Sequence, residues 1–455
     1  MKRLELLQAQ RRLLVNLFVL GLVVVASLAV PHAVLADPLG PDAGPGDGVQ
    51  EVGPSVYMPA AFKEVCSVLK SPGLGGFQVY GESSFGSPYH TDLLESGASW
   101  VRKGFDWTMV EPQNTTPDQY SWAGLDQYVQ LAEEKCWPMI LMMENNPTWA
   151  STQPQGPLDK VSVDELAQLM GAIAERYDGD GLNDAPGSPQ VIYFEMYNEP
   201  DAAAVGATER WGVHGDLYAA MLKAVYNAVK NANPNAKVVM GGISYDFFMD
   251  AQEPGPFVRT FLDDVLKNGG GAYFDIMNFH FYPPFGWNWT KMFPMDGPGL
   301  VEKTAVIRGI LKKYSLDKPL IVTETAWHNN PATPNGSNTL QTRMVQQLYT
   351  QAKAAGLSMV AWWPLADAGG SYEFDTGLVT NADTGAVTRK RAYTAYQVFM
   401  RELGTARFTI QAPGDVDVKV YQFIDDAKGR IIYVAWTNPT DLGTMWTVYT
   451  TRTVK

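Results

Sequence analysis

Short apolar runs rich in β-branched and aromatic residues alternate with amphipathic stretches along most of the chain. Apolar residues three or four positions apart in 125–132 and 217–229 predict helices, and Asn233-Pro234 ends the second of these. The apolar runs that predict strands are residues 77–80, 98–105, 138–144, 191–197, 237–243, 274–282, 319–323 and 358–363. Eight strands separated by helices between residues 76 and 403 predict a (β/α)8 barrel, the TIM barrel.

An open, doubly wound sheet is the other arrangement that this alternation allows. Such a sheet usually carries a glycine-rich phosphate loop directly after its first strand. Gly81-Glu82-Ser83-Ser84 follows the first run here and does not have that pattern. The barrel is therefore the preferred prediction.

The alternation of strand-like runs and amphipathic stretches ends near the C-terminal end of the chain. Apolar runs at 407–410, 416–423, 430–436 and 445–450 are separated by turn residues, with no helical pattern between them. Residues 404–455 therefore predict a small accessory antiparallel β unit. We expect it to pack on the barrel, where a strand from residues 57–70 would complete it.

The N-terminal end has the order of an export signal. Basic residues at positions 2, 3, 11 and 12 precede an apolar run of 18 residues, 13–30, and Val34-Leu35-Ala36 offers small residues before Asp37. The run is also just long enough to span a bilayer. Residues 1–36 therefore predict a signal peptide cleaved after Ala36 or, as the alternative, a membrane anchor. Residues 37–75 are a Gly/Pro-rich linker and lead-in.

Composition narrows the possible partners. The formal net charge of −13 argues against binding to nucleic acid, because no basic patch is available to neutralise phosphates. Contact with a membrane is expected only through the N-terminal segment, if it is not cleaved. Cys66 and Cys136 pair in an oxidising compartment, or Cys136 is a buried free thiol; two cysteines alone do not decide between these alternatives.

Metal and serine chemistry lack their usual patterns. The chain has five histidines, none of them in a His-x-x-x-His pair, and no cysteine cluster. No Gly-x-Ser-x-Gly elbow occurs at the end of a predicted strand. We therefore expect no metal site, no cofactor and no serine triad.

Two of the predicted strands end in a glutamate. Residues 191–197 run into Asn198-Glu199-Pro200, and residues 319–323 run into Glu324. In a barrel of parallel strands, catalytic groups lie just past the strand ends. Each glutamate has a structural alternative when taken alone, since Asn-Glu-Pro also suits the first turn of a helix. Two facing carboxyls together are the equipment for cleaving a glycosidic bond.

The order of these residues resembles clan A glycoside hydrolases. Asn198-Glu199-Pro200 after the fourth strand, His280-x-Tyr282 after the sixth and Glu324 after the seventh match the pattern of that clan. The likeness covers about residues 76–400, and within the clan it is similar to families 39 and 5, which the sequence does not separate. Further matching segments are Trp100-Val101-Arg102, Tyr120-Ser121-Trp122, Gly377-Leu378-Val379 and Arg391-Ala392-Tyr393.

The resemblance implies a role for each matching residue. Glu199 would be the general acid/base and Glu324 the nucleophile, held ionised by Arg102. Asn198 would bind the sugar 2-hydroxyl. His280 and Tyr282 would complete the hydrogen-bonded surround, with Tyr282 next to Glu324.

Other residues near the strand ends are candidates for sugar binding. The resemblance also implies that Trp362 or Trp363, on the eighth strand, lies under the bound sugar. Only one of them should face the mouth because side chains alternate along a strand; we favour Trp363. At the end of the third strand, Asn145 or Glu144 is in a position to bind substrate.

These expectations converge on one function. The sequence predicts an exported retaining glycosidase that cleaves O-glycosidic bonds of oligo- or polysaccharides by double displacement. The alternative is a catalytically silent carbohydrate-binding protein on the same barrel. The sugar, the linkage and the choice between exo and endo action depend on loop side chains that the sequence does not place.

Overall fold

The computed structural model describes residues 72–80, 87–205, 208–246, 256–283, 299–331, 336–368, 375–412 and 418–437, all of which belong to one compact unit, Ser55–Lys455. Eight parallel strands form its main sheet. They are β1 (Gly75–Gln78), β2 (Trp100–Asp106), β3 (Met139–Asn145), β4 (Tyr193–Met196), β5 (Lys237–Met240), β6 (Met277–Phe281), β7 (Leu320–Thr325) and β8 (Val360–Trp362).

The main sheet closes on itself. Its strands follow the order β5-β4-β3-β2-β1-β8-β7-β6, and parallel bridges from Val239 to Ile276 and from Ile243 to Phe279 join the two outer strands. The predicted barrel is therefore confirmed, and the open doubly wound sheet is wrong. The strand bounds differ from the predicted runs by up to three residues at either end.

Helices surround the barrel. They are α1 (His90–Glu95), α2 (Trp107–Val110), α3 (Ala123–Glu134), α4 (Val163–Arg176), α5 (Gly215–Ala232), α6 (Phe261–Lys267), α7 (Leu300–Lys313), α8 (Asn338–Ala354) and α9 (Arg391–Leu403), with 3-10 turns at Gly270–Ala272 and Ala382–Thr384. The predicted helices 125–132 and 217–229 are the middle parts of α3 and α5. None of the helices among the described residues is both long enough and apolar enough to cross a bilayer.

The helices form where the sequence pattern and the capping residues agree. In α5 the buried residues Tyr218, Met221, Leu222 and Val225 recur every three or four positions and make one apolar face. The Ser162 side chain accepts a hydrogen bond from the Asp164 amide at the start of α4, and Ser337 does the same for Leu340 at the start of α8. A short hairpin, Ala204–Val205 with Thr208–Glu209, follows β4.

Two apolar clusters hold the barrel together. The larger cluster lies between strands and helices and extends into the C-terminal sheet through Tyr421 and Phe423. A smaller cluster contains Trp100 and other inward residues near the starts of the strands. Its buried members are Trp100, Ile140, Val239, Ile276, Ile321, Met359 and Ala361. Because this cluster closes the lower part of the barrel, polar side chains two residues further along the strands collect at the other end.

A three-stranded antiparallel sheet follows the barrel. It consists of β9 (Arg407–Ala412), β10 (Val418–Asp425) and β11 (Arg430–Thr437) in that order, starting four residues after α9 ends at Leu403. The predicted antiparallel unit is thus present among the described residues. The predicted strand 445–450 and the strand-lending residues 57–70 lie outside the described residues, as do residues 1–36 and the linker up to residue 71.

Cys136 is half-buried and disulfide-bonded. Cys66, the other cysteine of the chain, lies outside the described residues. The alternative of a buried free thiol at Cys136 is therefore wrong.

Candidate active site

Arg102 lies at the centre of the polar cluster in the barrel mouth. It follows Trp100 by two residues on β2, so it shares the inner face, and its side chain is fully buried. Its Nε donates to Glu195 Oε2 at 2.7 Å and its Nη2 donates to Glu195 Oε1 at 2.8 Å. Its Nη1 donates to Glu324 Oε1 at 2.8 Å. One guanidinium therefore joins a carboxylate on β4 to a carboxylate on β7.

The other contacts of Arg102 fix its orientation. Nη1 also donates to Gln78 Oε1 at 3.0 Å, and Nη2 donates to Asn198 Oδ1 at 2.9 Å. Burial by itself would lower the pKa of Arg102, but the negative charges of Glu195 and Glu324 outweigh it and raise the pKa further. The guanidinium is a permanent, rigidly held cation.

Glu324 has a partner for each carboxylate oxygen. Oε1 accepts from Arg102, and Oε2 accepts from the Tyr282 hydroxyl at 2.7 Å. His280 Nδ1 lies 3.6 Å from Oε2, and only 11% of the side chain is exposed. The carboxylate is therefore held in one position with a small part of its surface facing the mouth.

Glu199 leaves the barrel wall just after β4. Tyr197 and Glu199 have φ values of 63° and 47°, so the chain turns sharply after the strand ends at Met196. A regular strand would place Glu195, Tyr197 and Glu199 on one face, and this turn separates them. Tyr197 instead is buried and donates to Asn146 Oδ1 at 2.7 Å.

The Glu199 carboxylate faces one hydrogen-bonding group on the segment after β5 and another on β6. Its Oε1 accepts from Ser244 Oγ at 2.5 Å and lies 3.1 Å from His280 Nδ1. Burial would raise the pKa of Glu199, but the hydrogen bonds from His280 and Ser244 and the charge of His280 outweigh it and lower the pKa. About a fifth of the side chain, 22%, remains exposed to the mouth.

Asp201 fixes the position of Ser244. Its carboxylate is buried and accepts from the Ser244 amide at 3.0 and 2.9 Å and from the Tyr245 amide at 2.8 Å. Burial, reinforced by the charge of Glu199, raises the pKa of Asp201 to about 7, against the hydrogen bonds from the two amides. The loop after β5 is therefore tied to the segment that carries Glu199.

His280 is fully buried between both glutamates and the barrel wall. Its Nε2 lies 3.1 Å from Thr323 Oγ1, while Nδ1 faces Glu199. A Cβ at Gly242 would lie 2.2 Å from His280 Nε2, so the ring occupies space that only glycine leaves free. Gly242 also interrupts β5, which ends at Met240 and rejoins the sheet at Ile243.

Of the two tryptophans of β8, Trp363 reaches the mouth. Trp362 is buried and donates from Nε1 to the Thr376 carbonyl at 2.8 Å. The Trp363 ring meets Tyr282 edge to face with centroids 6.3 Å apart, and its Nε1 donates to Tyr80 Oη at 2.9 Å. An aromatic surface therefore lies beside the Glu324 carboxylate.

Asn145 is separate from this central cluster. It is the last residue of β3, and its Nδ2 donates to Asp106 Oδ1 at 2.5 Å at the end of β2. The structure thus brings together Arg102, Asn198, Glu199, His280, Tyr282, Glu324 and Trp363, and places Asn145 at the rim. The chemical roles assigned to these residues from the sequence stay predictions.

One group in the site has the geometry to hold a metal. Ligand atoms of Glu199, His280 and Glu324 all lie within 4.8 Å of one another. Both Glu324 oxygens already accept hydrogen bonds, one of them from the Arg102 cation. A guanidinium next to the ligands repels a further cation, so this donor set suits acid–base chemistry better than metal binding.

Sequence reasoning missed Ser244, Asp201 and Tyr80. Ser244 follows a predicted strand, but nothing in its neighbourhood marks it as a partner of Glu199. Asp201 directly follows Asn198-Glu199-Pro200, and a second acid so close to Glu199 is the one signal that was available in the sequence.

Comparison with known proteins identifies the family. The model of Cellulase (glycosyl hydrolase family 5) matches residues 72–367, which is well over half of the chain. The match begins just before β1 and ends shortly after β8, so it covers the whole barrel. No match was found among curated protein sequences.

Solved structures share the fold. The chain is similar to a family 39 glycoside hydrolase from Bacteroides cellulosilyticus, with a TM-score of 0.59, 20% identity and coverage of 80% of this chain and 70% of that one. It is similar to a glucosidase from Croceicoccus marinus, with a TM-score of 0.51, 17% identity and coverage of 78% and 76%. It is also similar to a family 30 endoxylanase from Clostridium papyrosolvens, with a TM-score of 0.51, 16% identity and coverage of 81% and 82%.

The family match, the closed barrel and the neighbours from families 39 and 30 of the same clan agree with one another. The sequence alone did not separate families 5 and 39, whereas the family model matches family 5. The chain therefore belongs to glycosyl hydrolase family 5 of clan A, and it is an O-glycosyl hydrolase.

Proposed function

We propose that the chain is an exported retaining glycosidase that cleaves O-glycosidic bonds of oligo- or polysaccharides by double displacement. The supporting observation is the distance between the two carboxyls. A carboxylate oxygen of Glu199 lies within 4.8 Å of one of Glu324. Retaining enzymes place their carboxyl groups about 5–5.5 Å apart, whereas inverting enzymes need about 6.5–9.5 Å to admit a water molecule.

In the first step, a Glu324 oxygen attacks the anomeric carbon while the bond to the leaving oxygen breaks. Glu199 gives its proton to that oxygen, and a covalent glycosyl-enzyme forms. Arg102 and Tyr282 hold the attacking carboxylate in line. In the second step, Glu199 takes a proton from water, whose oxygen attacks the anomeric carbon and releases Glu324. Two inversions give net retention.

As the general acid, Glu199 must carry a proton, but its surroundings in the site without substrate lower its pKa. We infer that Glu199 and His280 share this proton across the 3.1 Å contact between Oε1 and Nδ1. A bound sugar covers the exposed part of the Glu199 side chain and excludes water, which favours the neutral carboxyl. Proton delivery is then coupled to substrate binding.

Neighbouring side chains supply the sugar contacts. Asn198 Oδ1 accepts from Arg102, so Asn198 Nδ2 is the group that would donate to a sugar hydroxyl. Trp363 offers an aromatic face for the sugar ring beside Tyr282. Asn145, held by Asp106 at the rim, is positioned for a more distant part of the substrate.

A panel of 4-nitrophenyl β-glycosides tests the mechanism. The wild type should release nitrophenol from at least one sugar, and Glu324→Ala should lose about 10⁴-fold or more in kcat, because the nucleophile acts as a unit with its partners. Glu199→Ala should keep much of its activity on leaving groups that need no protonation, and added azide should speed the second step. Glu134→Gln changes an exposed carboxyl on α3 and serves as the matched control.

The stereochemistry of the first product decides between mechanisms. Proton NMR in the first minutes of reaction should show the β anomer. A 2-deoxy-2-fluoro β-glycoside should leave an adduct on the peptide that contains Glu324. The α anomer as first product, or full activity of Glu324→Ala, contradicts the proposal. Binding of sugars without turnover by the wild type would favour the catalytically silent alternative.

Export is the second part of the proposal. It is supported by the signal-like order of residues 1–36 and by the disulfide at Cys136, since disulfides persist mainly in oxidising compartments. Protein recovered outside the cytoplasm should begin at Asp37 by N-terminal sequencing. Full-length protein that stays in the membrane fraction would indicate an anchor instead, and full-length protein in the cytoplasm contradicts export.

A further inference from the structure

A further carboxyl group, Glu144, lies in the mouth near the proposed nucleophile. Glu144 is the last but one residue of β3 and is half-buried. The register pairs Met142 with Gly104, and Arg102 Nη2 contacts Met142 Sδ at 2.7 Å, so Met142 is on the inner face. The register with β2 shifts between Met143 and Asn145, so Glu144 is the extra residue, and its Oε2 lies with Met142 Cε on the side of Gly104 that faces inward.

Gly104 makes room for the Glu144 carboxylate. A Cβ at Gly104 would lie 2.6 Å from Glu144 Oε2 and 3.1 Å from Met142 Cε. The backbone of Gly104 does not have a positive φ, so its role is to leave space. The Glu144 carboxylate therefore lies over Gly104 of β2, on the same face as Arg102.

The Glu144 carboxylate differs from its neighbours in its hydrogen bonds. Both oxygens of Glu324 accept hydrogen bonds, and Asp106 accepts one from Asn145. Within the described parts of the chain, no side chain or amide donates to Glu144. Burial raises the pKa of Glu144, Arg102 lowers it, Asp106 and Glu324 raise it, and Lys103 lowers it, with a net rise. A half-buried acceptor in a binding cleft needs donors from water or from a ligand.

We propose that Glu144 determines sugar specificity: it accepts hydrogen bonds from hydroxyls of the sugar bound beside Trp363 and repels sugars that carry an acid group. This inference rests on the proposed glycosidase function and adds the substrate class, neutral sugars rather than uronic acids. Hydroxyls supply the donors that Glu144 lacks, whereas a sugar carboxylate would bring like charge next to Glu144, Glu324 and Asp106.

Paired substrates test the inference. The probes are 4-nitrophenyl β-glucoside, β-galactoside, β-mannoside and β-xyloside, with β-glucuronide and β-galacturonide as the matched acids. Glu144→Gln keeps the shape but removes the charge and turns one oxygen into a donor. It should lower kcat/KM for the best neutral sugar by on the order of 10- to 100-fold, the usual cost of losing a hydrogen bond to a charged group. The ratio of neutral to acidic kcat/KM should fall in the same variant.

A second variant moves the same carboxylate through a substitution on β2. Gly104→Ala pushes Glu144 away without changing its charge, so it should lower kcat/KM for neutral sugars while the acids stay excluded. Gly309→Ala, whose new Cβ meets nothing within 4 Å on the exposed side of α7, is the control that leaves activity unchanged. Thermal melting of each variant separates loss of folding from loss of specificity.

The outcomes distinguish this inference from the proposed function. If the wild type is active and Glu324→Ala is inactive, but Glu144→Gln keeps the wild-type ratio of neutral to acidic sugars, only the role of Glu144 is wrong. If the wild type hydrolyses none of the probes, or Glu324→Ala remains fully active, the proposed function fails and the inference fails with it. Preference of the wild type for a uronide also overturns the inference.

Discussion

At the residue scale, the site depends on how each carboxyl is surrounded. Glu324 is held by a cation and a phenol, whereas Glu199 is held by a histidine and a hydroxyl. The two glutamates of one mouth therefore have different hydrogen-bond partners, and among the described residues only Glu324 accepts a hydrogen bond from a permanent cation. The donors around Glu199 come from Ser244 and His280, on segments far away in the sequence.

Ser244→Ala should shift the pH dependence of catalysis. The Ser244 hydroxyl donates to Glu199 and lowers the pKa of that carboxyl, so its removal should raise the pKa. The alkaline limb of kcat/KM, which follows loss of the acid's proton, should then move to higher pH while the acidic limb stays in place. Ser358→Ala, at an exposed serine before β8, is the control. An alkaline limb that is unmoved or lies at lower pH contradicts the proposed role of Glu199.

At the scale of the elements, neighbouring strands fit around each other's side chains. The β6 residue His280 occupies the space over Gly242, where β5 breaks. The Glu144 carboxylate on β3 similarly occupies the space over Gly104 on β2. Glycines in the barrel wall therefore set where functional side chains point, although they take no part in the chemistry.

Gly242→Ala should uncouple His280 from Glu199. The new Cβ would meet the buried imidazole at 2.2 Å, and the ring must move or the strand must shift. We expect kcat/KM to fall by about 100-fold, because misplacement by an ångström is costly in an active site, and stability to fall by about 1–3 kcal/mol from overpacking. Enzyme kinetics and urea unfolding measure the two effects.

Gly309→Ala is the matched control for that substitution. Gly309 is exposed within α7, and alanine there should raise stability by about 1 kcal/mol through helix propensity while leaving kcat/KM unchanged. Wild-type activity in Gly242→Ala would show that the position of His280 is unimportant for catalysis.

Some features of this structure can be predicted from the sequence, and others cannot. The alternation of runs predicted eight strands, and the glutamates at strand ends predicted the mouth, because both signals are local in the chain. The hydrogen bond from Ser244 to Glu199 and those from the Ser244 and Tyr245 amides to Asp201 were not predicted. Each joins segments that meet only after the barrel has closed. The strand breaks at Gly242 and after Met196 were missed for the same reason, since the neighbouring strand imposes them.

At the scale of the whole molecule, buried charges link stability to pH. Asp201 is buried next to Glu199, and its pKa is raised to about 7. A carboxyl whose pKa is higher in the folded state than in the unfolded chain stabilises the fold below its unfolded pKa. That contribution is lost as the pH rises through the folded pKa.

Asp201→Asn should therefore change how stability depends on pH. Asparagine does not titrate, and it fits the amides of Ser244 and Tyr245 less well, so the variant should be less stable overall. The wild type should lose about 2–3 kcal/mol of unfolding free energy relative to the variant between pH 5 and pH 8. Urea unfolding of both proteins at the two pH values measures this difference. A constant difference, or one of opposite sign, means that Asp201 is already ionised at pH 5.

The buried arginine in the barrel mouth carries one positive charge against two carboxylates, Glu195 and Glu324. In the proposed reaction, attachment of the sugar converts Glu324 into a neutral ester. The remaining pair, Arg102 and Glu195, is then electrically balanced, whereas the same trio in the resting enzyme has one negative charge in excess. The charges of Arg102, Glu195 and Glu324 are thus best matched midway through the proposed catalytic cycle, with the sugar attached, and not at either end of it.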